Sequence, residues 1–323
     1  MLIAQHLRDL NVDPSTHPRR RPHVSAASGL ARIRERLYVV ADDEHHLGVF
    51  DENGGAPVRL VRLFAGDLPP SKAKRKSLKP DLEALVALPP LKGYPAGALL
   101  ALGSGSRPNR EVGVLASLDD NGDVSFPVRH LDLHPIYSPL AATFDSLNIE
   151  GVFLAGDELR LLQRANRSDT RNACIGFDWS EFAQWLEGSN AAPSAKAIHC
   201  HALGGIDGVP FGFTDGAALP GDAWVFSAVA EDTADSYADG ACKGVALGFV
   251  DAQGNLCSMQ PLQGFSKVEG IAARTHGDTL TLTMVTDADD PSIASQLLSV
   301  TLSLSAAFER SGRSRQPSCE GDG

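Results

Sequence analysis

A short segment recurs along this chain, and each copy stands directly before a strand-like run of residues. The clearest copy is Ser266–Ala273, which reads Ser-Lys-Val-Glu-Gly-Ile-Ala-Ala, and Asn148–Val152 repeats its Glu-Gly core. Weaker copies lie at Ala27–Ala31, Asp81–Leu85 and Thr214–Ala218. A repeat of about 54 to 67 residues built from short strands is typical of the blades of a β-propeller.

Each repeat divides into strand-like runs separated by polar or Gly-containing turns. In the first repeat the runs are Ala27–Ile33, Leu37–Ala41, Leu47–Asp51 and Val58–Phe64. The fifth repeat has one run fewer, and the unmatched run Leu2–Leu10 can supply it, which leaves no unpaired strand edge in the ring. We therefore predict an all-β fold, a single five-bladed β-propeller of four-stranded antiparallel blades, closed by the N-terminal strand that completes the last blade.

These runs also set the expected boundaries. The propeller occupies residues 1–305, with blades at about 25–66, 80–134, 147–204, 210–264 and 266–304 plus the strand 2–10. A basic linker at Pro69–Lys79 separates the first two blades, and a short helix is expected at Trp179–Glu187. Residues 306–323 are polar and rich in Ser, Arg and Gly, and they read as a disordered tail.

Composition excludes several classes of protein. The net charge of −11 argues against a nucleic-acid partner, which requires a basic surface. No apolar run reaches the length of a membrane-spanning helix, and the first ten residues do not read as a signal peptide. The five cysteines show no Cys-x-x-Cys pair, so we read them as reduced. The expectation is a cytoplasmic monomer.

The repeats place one anchor residue at the start of each inner strand. The anchors are Gly29, Glu83, Glu150, Asp215 and Glu269. Four carboxylates around a narrow channel cannot all stay ionised unaided, because two charges about 4 Å apart repel by about 4 kcal/mol at an effective dielectric of 20. Oxygen ligands favour Ca²⁺ or Mg²⁺, so a metal site is one hypothesis. The alternative is that these carboxylates bind backbone amides and hold neighbouring blades together.

Loops between the second and third strands should face the same end of the channel. Arg107, Arg164 and Arg167 lie in two of these loops, and they can bind phosphate or carboxylate through forked hydrogen bonds. Alternatively they neutralise the acidic ring or point to solvent. Asp42 and Asp43 lie in a third loop and can accept a proton. The nearby His45 and His46 are expected to be exposed.

The Glu-Gly-Ile/Val repeat at Glu269–Ile271 and Glu150–Val152 resembles that of the propeller proteins called phytase-like esterases. Five repeats, with Glu83 opening an inner strand and Arg164–Arg167 ending a second strand, are similar to those of calcium-activated nucleotidases (apyrases). The resemblance covers roughly residues 25–304. It implies an acidic channel that holds Ca²⁺ and nearby arginines that handle phosphate groups.

The sequence thus leads to three functional hypotheses. The first is a metal-dependent hydrolase of a small anionic ester or anhydride. In it Glu83, Glu150, Asp215 and Glu269 hold Ca²⁺ or Mg²⁺, Asp42 or Asp43 takes the proton, and the three arginines bind the anion. The second is a binding module for a small ligand or a protein partner, without turnover. In the third, the channel carboxylates are purely structural.

Overall fold

The computed structural model describes residues 1–55, 58–232, 241–264 and 267–309. Within this part of the chain the strands form five antiparallel sheets of at least four strands each. The first strands of the five repeats contact one another in a closed ring around a central axis. The predicted five-bladed β-propeller is confirmed. Ser266, at the start of the clearest repeat, lies outside the described residues.

The first three blades each use four consecutive strands, from the channel outward. Blade one contains Ala27–Ile33, Arg36–Ala41, His46–Asp51 and Arg59–Arg62. Blade two contains Leu82–Leu88, Ala98–Gly103, Val112–Leu118 and Val124–Asp132. Blade three contains Ile149–Ala155, Glu158–Gln163, Asn172–Asp178 and Ala195–His201.

The last two blades recruit the N-terminal segment. Blade four contains Val209–Ala218, Trp224–Asp232, Ala241–Val250 and Leu256–Gln263. The two-residue strands Gly205–Ile206 and Leu2–Ile3 extend it, the second one in parallel to its outer strand. Blade five contains Val268–His276, Thr279–Thr286, Gln296–Ser303 and Gln5–Asp9.

The N-terminal run was expected as one strand, Leu2–Leu10, and it forms two. Leu2–Ile3 pairs with blade four, whereas Gln5–Asp9 pairs with the third strand of blade five. The buried Ala4 lies between them, where the chain passes from one blade to the next. The predicted closure of the ring by the N-terminal strand is confirmed, and the segment additionally bridges two blades.

Apolar side chains fill all five interfaces between blades. Separate clusters of buried residues join blades one and two, two and three, three and four, four and five, and five and one. Both faces of the inner strands are buried, because each blade covers the face of its neighbour. This burial explains the near-continuous apolar runs that follow each repeat segment.

A β-bulge interrupts the pairing of the first two strands at the same place in every blade. The extra residues are Ser28, Glu83, Glu150, Thr214 and Glu269. The next residue lies against the inner strand of the following blade. A Cβ on Gly270 would lie 2.8 Å from the backbone nitrogen of Leu30. The Glu-Gly repeat is therefore a bulge residue followed by a position where only a small side chain fits.

Helices lie between and beside the blades. The predicted helix of blade three is confirmed at Trp179–Leu186, with Asp178 as its N-cap. The linker before blade two contains a helix at Lys72–Leu78, and a further helix at His134–Ala141 follows blade two. Neither was predicted, because both are short and lack a clear apolar period. Every described helix is too short or too polar to cross a membrane.

One other expectation needs correction. The predicted disordered tail began at residue 306, but Leu304–Ala307 is helical and Phe308 contacts Phe249; residues 310–323 lie outside the described residues. Cys174, Cys242 and Cys257 are free thiols, as expected, and Cys319 lies outside the described residues.

The closure can be tested with two leucines near the N-terminus. Leu10 is fully buried in the cluster between blades five and one, whereas Leu7 is 42% exposed. We expect Leu10→Ala to lower the free energy of unfolding by about 3 kcal/mol, because it opens a cavity in that interface. Leu7→Ala is the matched control and should change it little. Equal effects in urea denaturation would contradict ring closure by this segment.

Candidate functional site at the mouth of the channel

In blades one, two, three and five the connections between second and third strands meet at one end of the channel, as expected, whereas the connection of blade four lies outside the described residues. With the bulge residues Ser28, Glu83, Glu150 and Glu269 they line a cavity of about 710 Å³. The connections contribute Asp42, Arg107, Arg164 and Asp287 to the cavity wall, and the second strand of blade four contributes Glu231. Of the predicted metal ligands, Glu83, Glu150 and Glu269 line this cavity. The cavity lining as a whole is strongly charged.

Three carboxylates converge on the side formed by blades one and two. Oxygens of Asp42, Asp81 and Glu83 lie within 4.8 Å of one another. Glu83 makes no side-chain hydrogen bond or ion pair with any residue that the structure describes. Burial and the nearby Asp81, Glu150 and Asp42 raise the pKa of Glu83 well above its ordinary value. Lys79 acts in the opposite direction on this pKa, but it makes no direct ion pair with Glu83 among the described residues.

Lys79 partly neutralises the same cluster. Its ammonium group lies 2.6 Å from Asp81 Oδ1 and also contacts Asp42. Burial raises the pKa of Asp42 to about 6 despite Lys79. Burial also acts to raise the pKa of Asp81, but Lys79 and Arg110 outweigh it, so the pKa lies below its ordinary value. Negative charge in excess of the cations remains mainly at Asp42 and Glu83.

Asp81 is held in an unusual backbone conformation. Its φ of +57° lies in the left-handed region, which is uncommon for residues other than glycine. The side chain accepts hydrogen bonds from Ser104 Oγ at 2.6 Å and Arg110 Nη1 at 2.7 Å. The amide of Ser104 also donates to Asp81 O at 3.0 Å. A conformation of this kind persists where surrounding contacts fix it, and it is frequent at functional sites.

The opposite side of the mouth is an ion-pair network that joins blades three, four and five. Arg164 lies 3.2 Å from Glu150, 2.8 Å from Glu231 and 4.0 Å from Glu269. Lys267 lies 3.6 Å from both Glu231 and Glu269. The predicted role of Arg164 in binding substrate thus competes with these carboxylates, and the alternative reading, that it neutralises the acidic ring, agrees with its contacts.

The network contains more carboxylates than cations, since Asp289 also lies 3.0 Å from Lys267. Burial raises the pKa of Glu269 to about 8, although Lys267 and Arg164 act against it. Burial likewise raises the pKa of Glu150. Glu269 therefore carries a proton over much of the neutral range, which lowers the excess negative charge of the network.

Asp215 is the predicted metal ligand that the structure places elsewhere. It follows the bulge residue Thr214 and occupies the position of the small residue in the other blades. Its carboxylate accepts hydrogen bonds from Gly216 N at 2.7 Å and Ile271 N at 2.9 Å, and it also binds the amide of Val152. Asp215 thus clips blade four to both of its neighbours. The predicted anchor Asp215 lies one residue after the bulge residue of blade four. The predicted anchor Gly29 likewise lies one residue after Ser28, the bulge residue of blade one.

The remaining predicted residues divide between the rim and the exterior of the mouth. Arg107 and Arg167 are exposed at the rim of the cavity. Asp43 lines an adjoining cavity of about 60 Å³ instead, where it pairs with Arg19 and Arg75, both at 3.0 Å. These two arginines leave Asp43 poorly placed to take a proton from a ligand in the main cavity.

Sequence reasoning missed Lys79, Asp81 and Lys267 as members of the site. A signal was present, since Lys79, Asp81 and Glu83 alternate along the chain, as do Lys267 and Glu269. Alternate residues of an extended segment point to the same side. The alternation of charged residues at the start of the inner strands of blades two and five therefore indicated a shared, paired surface.

Asp215, which joins blades, and Glu83, which has no direct ion pair among the described residues, should differ in how their substitution changes the free energy of unfolding. Asp215→Ala leaves the buried amides of Ile271 and Val152 without an acceptor. We therefore expect it to lower the free energy of unfolding, measured by urea denaturation, by about 3 kcal/mol. Glu83→Gln removes an unpaired carboxyl group and should cost little or stabilise the protein. The reverse ranking would contradict the clip assigned to Asp215.

The protonation of Glu269 predicts a pH dependence. Between about pH 4.5 and pH 8 the folded protein keeps a proton at Glu269 that the unfolded chain has lost, so this group's contribution to stability declines as the pH rises. As the pH rises through this range, the melting temperature of Glu269→Gln should therefore increase relative to that of the unchanged protein. Glu35→Gln, in an exposed turn of blade one, is the control. Parallel profiles for all three proteins would refute the shift.

Comparisons with known proteins give two kinds of result. No curated protein matches the chain. The gluconolactonase XC5397 from Xanthomonas campestris is 10% identical with a TM-score of 0.42, over 86% of this chain and 87% of that one. A putative glycoside hydrolase from Parabacteroides distasonis ATCC 8503 is 12% identical with a TM-score of 0.46, over 93% and 96%. A family model matches residues 23–302, and the chain therefore belongs to the family of unknown function DUF6929.

Proposed function

We propose that this protein hydrolyses a small anionic ester or anhydride with the help of a divalent cation bound at the mouth of the channel. The observation that carries the proposal is the convergence of Asp42, Asp81 and Glu83 within 4.8 Å in the wall of a large cavity. Arginines stand at the rim of the same cavity. An acidic floor beside basic groups suits a substrate whose anionic part is bridged to the protein by a cation.

The donor set fits a hard divalent ion. All three groups are carboxylates, which Ca²⁺ and Mg²⁺ prefer, and Glu83 has no cationic partner among the described residues. Lys79 contacts both Asp42 and Asp81, and Arg110 contacts Asp81, so Glu83 is the member of the cluster without a direct ion pair among the described residues. Asp81 and Glu83 would hold the ion. Lys79 would have to share or yield its contacts, which limits the affinity.

A bound divalent ion would polarise the substrate oxygen and lower the pKa of a water molecule. Asp42 is placed to accept the proton of that water, because it lies in the same cluster and its pKa of about 6 makes it a stronger base than an ordinary aspartate. Arg107 and Arg167 at the rim would bind and orient the anionic group. Arg164 and Lys267 keep the opposite wall rigid through their ion pairs.

A binding module without turnover is the second candidate, and Lys79 favours it. An internal ammonium group that contacts Asp42 and Asp81 can replace a metal as the neutralising charge. In that case the mouth binds an anionic ligand through its arginines alone. The two candidates make different predictions about added cations.

The metal can be tested by thermal melting. For a site with a dissociation constant near 10 µM, about 1 mM free Ca²⁺ or Mg²⁺ adds about 2.7 kcal/mol to the stability of the metal-stripped protein. We expect Glu83→Gln to abolish the resulting shift and the control Glu35→Gln to retain it. A shift that survives in Glu83→Gln would place the ion elsewhere, and no shift in any variant would favour the binding module.

Measuring the hydrolysis rate together with the thermal response to cations distinguishes the proton acceptor from the cation ligands. Asp42→Asn should retain most of the thermal response to the cation while losing at least about 100-fold in hydrolysis rate in a screen of phosphate and carboxylic esters. Undiminished hydrolysis by Asp42→Asn would rule out this residue as the acceptor.

Lys79→Met provides a complementary test. Without its ammonium group the cluster lacks its main internal cation, so the stabilisation by Ca²⁺ or Mg²⁺ should grow. If the carboxylates are purely structural, Lys79→Met will lose stability and added cations will not restore it.

A further inference from the structure

One part of the cavity wall is apolar, in contrast to the charged floor. It comes from blade four, where residues 208–212 line the cavity at the start of the inner strand. Pro210 is exposed and Val209 half-buried, whereas the neighbouring Phe211 is 8% exposed and anchored in the core between blades three and four. Val209 and Pro210 therefore present apolar surface to the cavity from a firm base.

This wall is fixed to the loop that carries Arg167. The Nδ2 group of Asn172 donates to Phe211 O at 2.8 Å, and its Oδ1 atom accepts from the amides of Ala165 at 3.0 Å and Phe213 at 3.1 Å. One buried amide side chain thus joins the arginine loop of blade three to the apolar segment of blade four.

Gly212 brings the two blades into direct contact. A Cβ at this position would lie 2.9 Å from Cγ of Arg164, so the absence of a side chain lets the arginine pass beside the backbone. The apolar wall consequently lies beside Arg164 and, through Asn172, beside the loop that carries Arg167 at the rim. Apolar surface and cationic groups held together in one cavity match a ligand that carries both kinds of group.

We infer that the ligand of this cavity is an anion with an apolar substituent, such as an aryl or branched alkyl group, which packs on Val209 and Pro210. The inference rests on the proposed function for the anionic group and extends it to the rest of the molecule. A cavity of about 710 Å³ has room for both parts, since sites for small organic molecules span about 300–1,000 Å³. A compact anion such as inorganic phosphate leaves the apolar wall uncovered.

The test compares two probes that differ only in the apolar group. Phenylphosphonate, which has no ester bond to hydrolyse, and inorganic phosphate are titrated into the full-length protein in the presence of Mg²⁺, and binding is followed by calorimetry. We expect phenylphosphonate to bind roughly tenfold more tightly, because the ring covers apolar surface on one side. The variant Val209→Thr/Pro210→Ser should lose most of this preference while it binds inorganic phosphate as before.

Val61→Thr is the matched control. Val61 is a half-buried valine on the outer strand of blade one, outside the cavity lining, and its substitution should leave the preference intact. Equal affinity for the two probes, or a preference that survives in Val209→Thr/Pro210→Ser, would overturn the inference and leave the proposed function standing. Failure of both probes to bind would instead count against the anionic substrate itself, and the inference would fall with it.

Discussion

Closure of the ring forces the first strands of five blades to the same axis, so side chains from distant parts of the chain must share one small volume. At the bulge position three blades supply a glutamate and two supply a hydroxyl group. The hydroxyls of Ser28 and Thr214 bind a backbone carbonyl of the next blade at 2.6 and 2.7 Å, which satisfies them locally. The glutamates have no such partner in the backbone. Their charge must be balanced by other side chains, by protons or by a ligand, and this requirement organises the mouth of the channel.

The balance is uneven around the axis. Arg164 and Lys267 bind the carboxylates of blades three to five in a network that is almost fully paired. On the other side Lys79 contacts two of the three clustered carboxylates, and Glu83 has no partner among the described residues. A purely structural ring would have little reason for this asymmetry, because unpaired buried carboxylates cost stability. A ligand would therefore gain the most binding free energy on the side formed by Asp42, Asp81 and Glu83.

Much of the fold was accessible from the sequence because its signals are local. Short strands separated by turns, and a repeat that returns five times, fixed the number of blades and most strand boundaries. The register at the axis was harder. The repeat pattern predicts Gly29 and Asp215 as anchors, yet Ser28 and Thr214 are the bulge residues, since a bulge shifts the register by one residue and changes which side chain faces the channel. The same shift explains how Asp215 became a clip between blades.

The site itself was only partly predictable. Glu83, Glu150 and Glu269 were found because they belong to the repeat. Lys79 precedes its repeat copy and Lys267 belongs to one, but both pair with carboxylates from other loops, so their role depends on contacts that no single segment encodes. The ion pairs of Asp43 with Arg19 and Arg75 likewise involve the N-terminal connector and the unexpected helix Lys72–Leu78.

The division of the N-terminal segment between two blades has a consequence for the order of folding. Residues 2–9 pair with strands that end at Gln263 and Ser303, so more than 250 residues must be synthesised after this segment before it finds both of its partners. Until then the outer edges of blades four and five stay open, and an open edge is a template for pairing with another chain. Contacts so distant in sequence also form slowly. The pairing of this segment is thus both the slowest step of assembly and the one most exposed to aggregation.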